Sequence, residues 1–211
     1  MALALVVGSF GAVLFGGVFF GTSSSSNLPD FVLPDDRQTP DDSATAVPTL
    51  PAIEVRQYPE APAMTIDPNK TYIATIKTSA GDIQVELFAS QAPQTVNNFV
   101  FLARDGFYDG LAFSYADPRF SANAGDPACT AATIQTCRGD GGPGYELEEI
   151  VQGEFQAGVL GMANASQFFI ALAASDQFAQ FTPFGRVISG LDVAERLTQG
   201  TEIEKIEVNE G

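Results

Sequence analysis

Residues 72–106 read YIATIKTSAGDIQVELFASQAPQTVNNFVFLARDG. Tyr72 to Thr78 alternate, with Tyr72, Ala74 and Ile76 on one side and Ile73, Thr75 and Lys77 on the other. Ser79-Ala80-Gly81-Asp82 supplies a turn and Ile83 to Phe88 alternate again, which predicts a β-hairpin. Pro93 suits the first turn of a helix, where its missing N–H would have no intrahelical partner anyway. Val96, Phe99, Val100 and Ala103 then recur at i, i+3, i+4 and i+7, the apolar face of that helix. Gly106 is placed to end it in a left-handed conformation.

Downstream, short β segments alternate with loops. Ser166–Leu172 and Phe184–Ile188 read as strands. Leu191, Ala194 and Leu197 mark a second helix, with Asp192 near its start and Arg196 near its end, as the helix dipole favours. Gly200 follows, and Ile203, Ile206 and Val208 predict a closing strand. Many short strands, two helices and no βαβ rhythm predict a closed or nearly closed antiparallel barrel whose open ends the helices cover. There is no internal repeat.

The composition narrows the function. The 211 residues carry a net charge of −16, which repels nucleic acid and anionic headgroups and excludes sequence-independent DNA or RNA binding. There is no histidine. A Ser-His-Asp triad, a Cys-His pair and His-based zinc motifs are therefore excluded, and two cysteines fall short of a four-thiolate metal site. Neither a metal nor a cofactor is expected. With no tryptophan and 17 phenylalanines, aromatic burial falls to Phe.

Three regions follow. Residues 1–21 contain ALALVVGSFGAVLFGGVFF at 2–20, which as a helix would span about 28 Å, close to the hydrocarbon thickness of a bilayer. The run is long for a signal-peptide core, and Thr22 to Asn27 offer no small-x-small cleavage site. A single-pass anchor in the cell membrane is the favoured reading, with a cleaved signal and a secreted product, or a buried helix, as alternatives. No basic residue precedes the run, although a start upstream of Met1 would account for that. The acidic flank after it gives no reason for retention inside, so the C-terminal domain is expected outside the cytoplasm. Residues 22–67, rich in Pro, Ser and Asp, read as an extended linker. Residues 68–211 are the folded domain.

Cys129 and Cys137 bracket an insertion, ACTAATIQTCRGD at 128–140, between two glycine-rich turns. A loop of this length can bring them to bridging distance, and an oxidising compartment would permit the bond. The alternative is two free, separately buried thiols. The spacing is not the C-x-x-C of a redox motif.

Several segments together resemble the cyclophilin family of peptidyl-prolyl isomerases. They are FASQAPQTVNNFVFLARDGFYDGLAF at 88–113, GDP at 125–127, GGPGY at 141–145, GVLGMAN at 158–164, SQFFI at 166–170 and FGRVISGLDV at 184–193. The resemblance covers about 140 residues in order. It implies an eight-stranded closed antiparallel barrel capped by two helices, with a surface groove that holds a proline-containing peptide or an unfolded client. Phe120, Phe169 and Phe178 would form the proline pocket, with Phe181 beside it. Ala163 and Asn164 would lie along the peptide and Gln167 would add a polar contact. Pattern alone leaves open whether Phe168 or Phe169 faces the core, since neighbours in a strand point to opposite sides. The resemblance puts Phe168 in the core and Phe169 in the groove.

The departures from the family pattern bear on activity. The usual His-Arg pair, whose arginine is the family's main catalytic donor, is Ser114-Tyr115. Ser121 stands for a methionine, Asn123 for a glutamine and Gln177 for a tryptophan, and Phe181 falls near a histidine position. Only Ala165 remains of the loop between MAN and SQFF. Rotating a prolyl bond means crossing a barrier of about 20 kcal/mol set by amide resonance, and a donor aimed at the twisted nitrogen lowers it. A neutral Tyr115 hydroxyl replaces a charged, multidentate guanidinium poorly. Arg119, next to Phe120, is the one nearby cation that could substitute. The expectation is a weak isomerase for X-Pro bonds of extracytoplasmic proteins. The alternatives are a module that binds proline-containing segments without turnover, and a fold whose groove is filled from within by Phe178 or Phe181.

Overall fold

The computed structural model describes residues 56–211. The apolar segment at 2–20 and most of the linker lie outside the described residues. Among the described residues no helix is long and apolar enough to cross a membrane.

The opening hairpin forms as its alternation requires. β1 (Tyr72–Thr78) pairs antiparallel with β2 (Gly81–Leu87), and Tyr72, Ala74, Ile76, Ile83, Val85 and Leu87 turn inward. α1 (Pro93–Arg104) carries proline in its first turn and lays Val96, Phe99, Val100 and Ala103 onto the core. Gly106 follows at φ 68°, the left-handed turn that a side chain would strain. The start of α1 has no side-chain cap of its own. Glu149 supplies one from a distant loop, accepting the Gln94 N–H at 3.2 Å and the Thr95 N–H at 2.7 Å.

Six more strands complete the sheet: β3 (Tyr115–Ala116), β4 (Ser121–Ala124), β5 (Val159–Met162), β6 (Phe168–Ala171), β7 (Thr182–Ser189) and β8 (Ile203–Glu210). The order is β3-β4-β6-β5-β7-β2-β1-β8, with every pairing antiparallel. α2 is short, Leu191–Glu195, and Arg196 just beyond it pairs with Asp192 at 2.9 Å.

The sheet does not close as a continuous ladder, which corrects the expectation of a closed barrel. β3 and β8 are its two edges. The gap is crossed ahead of β3 and at the start of β8 by backbone bonds from Gly110 N–H to Ile203 O, Ile203 N–H to Leu111 O, Phe113 N–H to Thr201 O and Gly200 N–H to Phe113 O, at 2.7–2.9 Å. β3 is only two residues long and does not pair with β8. The cysteine insertion covers this seam. Cys129 and Cys137 are bonded, with Cα atoms 5.2 Å apart, and Cys129 and Ile134 pack on Ala112 in the crossing segment.

Residues 56–67, grouped by composition with the linker, pack on the domain. Asn97, almost fully buried on α1, accepts from the Thr65 N–H at 2.8 Å, the Thr65 hydroxyl at 3.1 Å and the Ile66 N–H at 3.3 Å. Its amide donates back to Ala63 O at 3.0 Å. Tyr58 sets its ring against Phe101, Phe107 and Tyr145 and donates to Asp105 at 2.6 Å. Burial, then the Asp105 carboxylate, push its hydroxyl up to about 12. One asparagine thus satisfies several strap groups, which a proline-rich segment cannot pair within itself.

Two outcomes follow from this packing. Asn97→Ala should cost about 2 kcal/mol in urea unfolding, because it strands the strap's donors and acceptors. Reducing the Cys129–Cys137 bond should lower stability by about 2–3 kcal/mol, the loop-closure entropy of so short a ring, and hydrogen exchange should rise first at 110–113 and 200–203.

Candidate functional site

Cross-strand partners in an antiparallel sheet share a face, so the register can be followed across the strands. Tyr115 lies opposite Asn123, Asn123 opposite Phe169, and Phe169 opposite Gly161. These four form one row on the outer face. The neighbouring row holds Ser121 opposite Ala171, while Ala122, Ile170 and Leu160 face the core between them. Phe168 joins the main core cluster, packing edge-on to Phe99 and Tyr108 at 5.6 Å. Phe169 belongs to a second, separate apolar cluster.

That second cluster is aromatic. Phe178, on a single 3-10 turn at Asp176–Phe178, stands 4.7 Å from both Phe120 and Phe169. Phe155 stacks on Phe169 at 5.4 Å and Phe181 meets it edge-on at 5.3 Å. Ser175 caps the turn, accepting the Gln177 N–H. A concavity of about 650 Å³ opens beside these rings, lined by Phe120, Ser121, Asn123, Ala163, Phe169 and the segment 176–181. Phe178 packs between Phe120 and Phe169 and lines this concavity, and Phe169 itself is only 3 % exposed. Phe178 is likewise only 3 % exposed, and swinging it out would forfeit about 2 kcal/mol of burial.

The floor depends on a glycine. A Cβ at Gly161 would overlap the Phe169 ring and meet Phe155 at 2.7 Å. The bare backbone there lets the Phe169 ring lie flat across β5.

The polar residues sort differently. Ser121 is buried and donates to Asn123 Oδ1 at 2.7 Å, which fixes the amide beside the aromatic floor. Gln167 donates to Gly141 O at 2.7 Å, and Asn164 to the same oxygen at 3.2 Å. Asn164 also accepts the N–H groups of Ser166 and Gln167, at 2.9 and 2.8 Å. Both amides therefore tie the 163–167 turn to the glycine-rich loop. The buried carboxylate of Asp126 anchors that loop through the N–H of Gly141 at 3.0 Å. Ala163 is exposed at the rim. Tyr115 is 44 % exposed at the end of the row.

Arg119 turns away from this arrangement. Its guanidinium sits 3.3 Å from Asp117 and is 88 % exposed, and Asp117 also accepts the Arg119 N–H at 2.9 Å. The hydrogen bonds to Asp117 raise the arginine's pKa further, and those from Arg119 hold Asp117 below the usual carboxylate range. Arg119 is not among the residues lining the hollow.

Phe155 and Gly161 are site residues that sequence reasoning missed. No local signal marks Phe155, which lies in a loop. Gly161 was legible in principle, as a glycine inside a strand pattern beside a strand with adjacent phenylalanines. Among the described residues no cluster of three metal-ligating side chains occurs.

A family profile for the cyclophilin type peptidyl-prolyl cis-trans isomerase matches residues 73–210. A peptidyl-prolyl cis-trans isomerase of Helicobacter pylori is 38% identical over 149 residues, covering 65% of this chain and 86% of its own. Peptidyl-prolyl cis-trans isomerase B of Bacillus subtilis is 38% identical over 136 residues, covering 60% of this chain and 90% of its own. Among solved structures, a cyclophilin type isomerase of Cryptosporidium parvum superposes with a TM-score of 0.57 at 26% identity, covering 66% of this chain and 98% of its own. The same protein has been solved in the presence of the dipeptide Ala-Pro. With its profile match, its relatives and its fold in agreement, the chain belongs to the cyclophilin-type peptidyl-prolyl cis-trans isomerase family.

Proposed function

We propose that the hollow bounded by Phe120, Phe169, Phe178 and Phe181 seats the proline ring of an X-Pro segment, and that turnover there is slow. The register carrying Tyr115, Asn123 and Phe169 in one row is the supporting observation. It sets a neutral hydroxyl at the edge of the aromatic floor, where the family pattern has a guanidinium. The chemistry of rotation makes and breaks no bond, so the domain needs only to grip the ring and to favour the twisted nitrogen. The aromatic walls supply the grip. Asn123, oriented by Ser121, and Tyr115 are the neutral polar groups of the row, and a neutral donor stabilises developing charge less than a cationic one. The missing charge-assisted donor accounts for roughly 2–4 kcal/mol of barrier, about 30- to 1000-fold in rate.

The crystal structure of the Cryptosporidium relative in the presence of Ala-Pro supports a proline-containing ligand. The apolar run at 2–20 and the Cys129–Cys137 pair support a membrane-anchored domain working in an oxidising, extracytoplasmic compartment on secreted or envelope proteins. The binding-only reading shares the same hollow and differs only in turnover.

A protease-free exchange assay on an X-Pro peptide tests this. Tyr115→Arg should raise kcat/KM by about 30-fold or more, since the register puts this position in one row with Asn123 and Phe169, and an unchanged rate would defeat the assignment. Arg119→Ala should leave the rate unaltered, its side chain being committed to Asp117. Gly161→Ala should weaken proline-peptide binding by about ten-fold, because the Phe169 ring has to move off β5.

A further inference from the structure

The family profile matches from residue 73, so the strap at 56–67 lies ahead of the shared domain. It nevertheless reaches the frame of the groove. The Tyr58 N–H donates to Pro143 O at 2.7 Å and the Gln57 amide to Gly142 O at 2.8 Å. Among the described residues these are the only hydrogen bonds that Gly142 and Pro143 accept. A Cβ at Gly144 would come within 2.8 Å of Tyr58 O, so the loop is bare where the strap lies against it. One residue before Gly142, the Gly141 carbonyl accepts both Gln167 and Asn164. A second route runs through side chains. Tyr58 meets Tyr145 edge-on at 6.4 Å, Tyr145 donates to Asn98 at 2.6 Å, and Asn98 donates to Ala165 O at 2.6 Å. Both routes end on the 163–167 turn, whose Ala163 lines the proposed proline hollow. Tyr58 is itself held at the end of α1, with its ring on Phe101 and its hydroxyl on Asp105.

We infer that Tyr58 is a positioning residue for the proline groove: it holds the 141–145 loop, and that loop sets the 163–167 turn at the groove's rim. Tyr58 does not line the hollow and acts only through these neighbours. The role rests on the proline-groove reading and adds to it a dependence on a segment outside the family's domain. Ser166 is tied separately, to Gly125 O and to the Tyr108 hydroxyl, and Asp126 holds the Gly141 N–H. Losing the Tyr58 ring would therefore leave the turn in place but loosen it at Ala163, Asn164 and Gln167. A loosened rim has to be ordered each time a peptide binds, which lowers affinity. The aromatic walls pack within their own cluster and would stay where they are.

Titration of the full-length chain, held in mild detergent, with a blocked Ala-Ala-Pro-Ala tetrapeptide tests this by amide NMR. Tyr58→Ala should weaken binding by about ten-fold and shift the amides of 141–145 and 163–167. Tyr58→Phe keeps the ring and should bind within about two-fold of the unaltered chain. Tyr145→Phe breaks the second route alone and should weaken binding by about three-fold, the net worth of one hydrogen bond. Val193→Ala is the control for stability. It thins the packing of α2 against the core, so it should lower the urea midpoint and leave the affinity as it was. Unchanged affinity in both Tyr58→Ala and Tyr145→Phe would overturn the role while the tetrapeptide still binds the unaltered chain. So would a loss of affinity in Val193→Ala that matches Tyr58→Ala at equal loss of stability. A tetrapeptide that produces no shifts at Phe120 and Phe169 of the unaltered chain would overturn the groove reading and the positioning role with it.

Discussion

The contact between the Phe169 ring and the bare backbone of Gly161 is the constraint on which the site depends. A strand on the outer face of a sheet ordinarily stands its side chains up into water. Here the opposite strand offers no side chain, so the phenylalanine can lie down, and Phe155 and Phe178 close over its remaining surface. Three stacked or tilted rings then form a surface rigid enough to act as a mould. Because Phe178 is almost wholly buried, the mould holds its shape without a ligand. Such preorganisation avoids the ordering cost that a flexible pocket incurs on binding.

The frame around the mould is polar and comes from elsewhere in the chain. Asn98 on α1 donates to Ala165 O and accepts from Tyr145, both at 2.6 Å. Ser166 donates to Gly125 O at 2.8 Å, and Gln167 and Asn164 share Gly141 O. The short 163–167 turn, left with only Ala165 between its motifs, is thus fastened at every step. The strap reaches the same loop through the Tyr58 N–H to Pro143 O and Gln57 to Gly142 O. Strap, helix and glycine-rich loop therefore share one hydrogen-bonded layer, and a change at residue 57 or 58 reaches the cleft through two backbone carbonyls.

How far the sequence could be read depended on the kind of signal each feature left. The β1–β2 hairpin and α1 were legible because alternation and the i, i+3, i+4 spacing report burial directly. The seam between 110–113 and 200–203 was not, since its partners lie about 90 residues apart and neither segment alternates. The strap was hidden for a different reason. Residues 56–67 have a linker's composition, and what holds them is the buried amide of Asn97 together with the Tyr58 ring, neither of which the apolar pattern of α1 marks. At the site, the aromatic residues were marked by resemblance. Phe155 was not, because ring stacking between distant segments leaves no trace in local pattern. Arg119 was singled out for its position next to Phe120, yet adjacency in sequence did not decide its direction: Asp117, two residues earlier, was the nearer partner.

Gripping a proline and turning it are separable demands, and under the proposed function this cleft meets them unequally. Grip comes from apolar area, which the phenylalanines provide in excess and which acts alike on the planar and the twisted amide. Interactions of that uniform kind tighten the complex without lowering the barrier between its states. Turnover requires something that strengthens only as the nitrogen pyramidalises, and a fixed positive charge does this far better than a hydroxyl in contact with water. The groove-lining residues carry acid at Asp176 and no Lys or Arg. Adding aromatic surface to this cleft would therefore lengthen a client's stay and leave its isomerisation rate as it was, whereas a single guanidinium at the Tyr115 end of the row would change the rate with little effect on affinity.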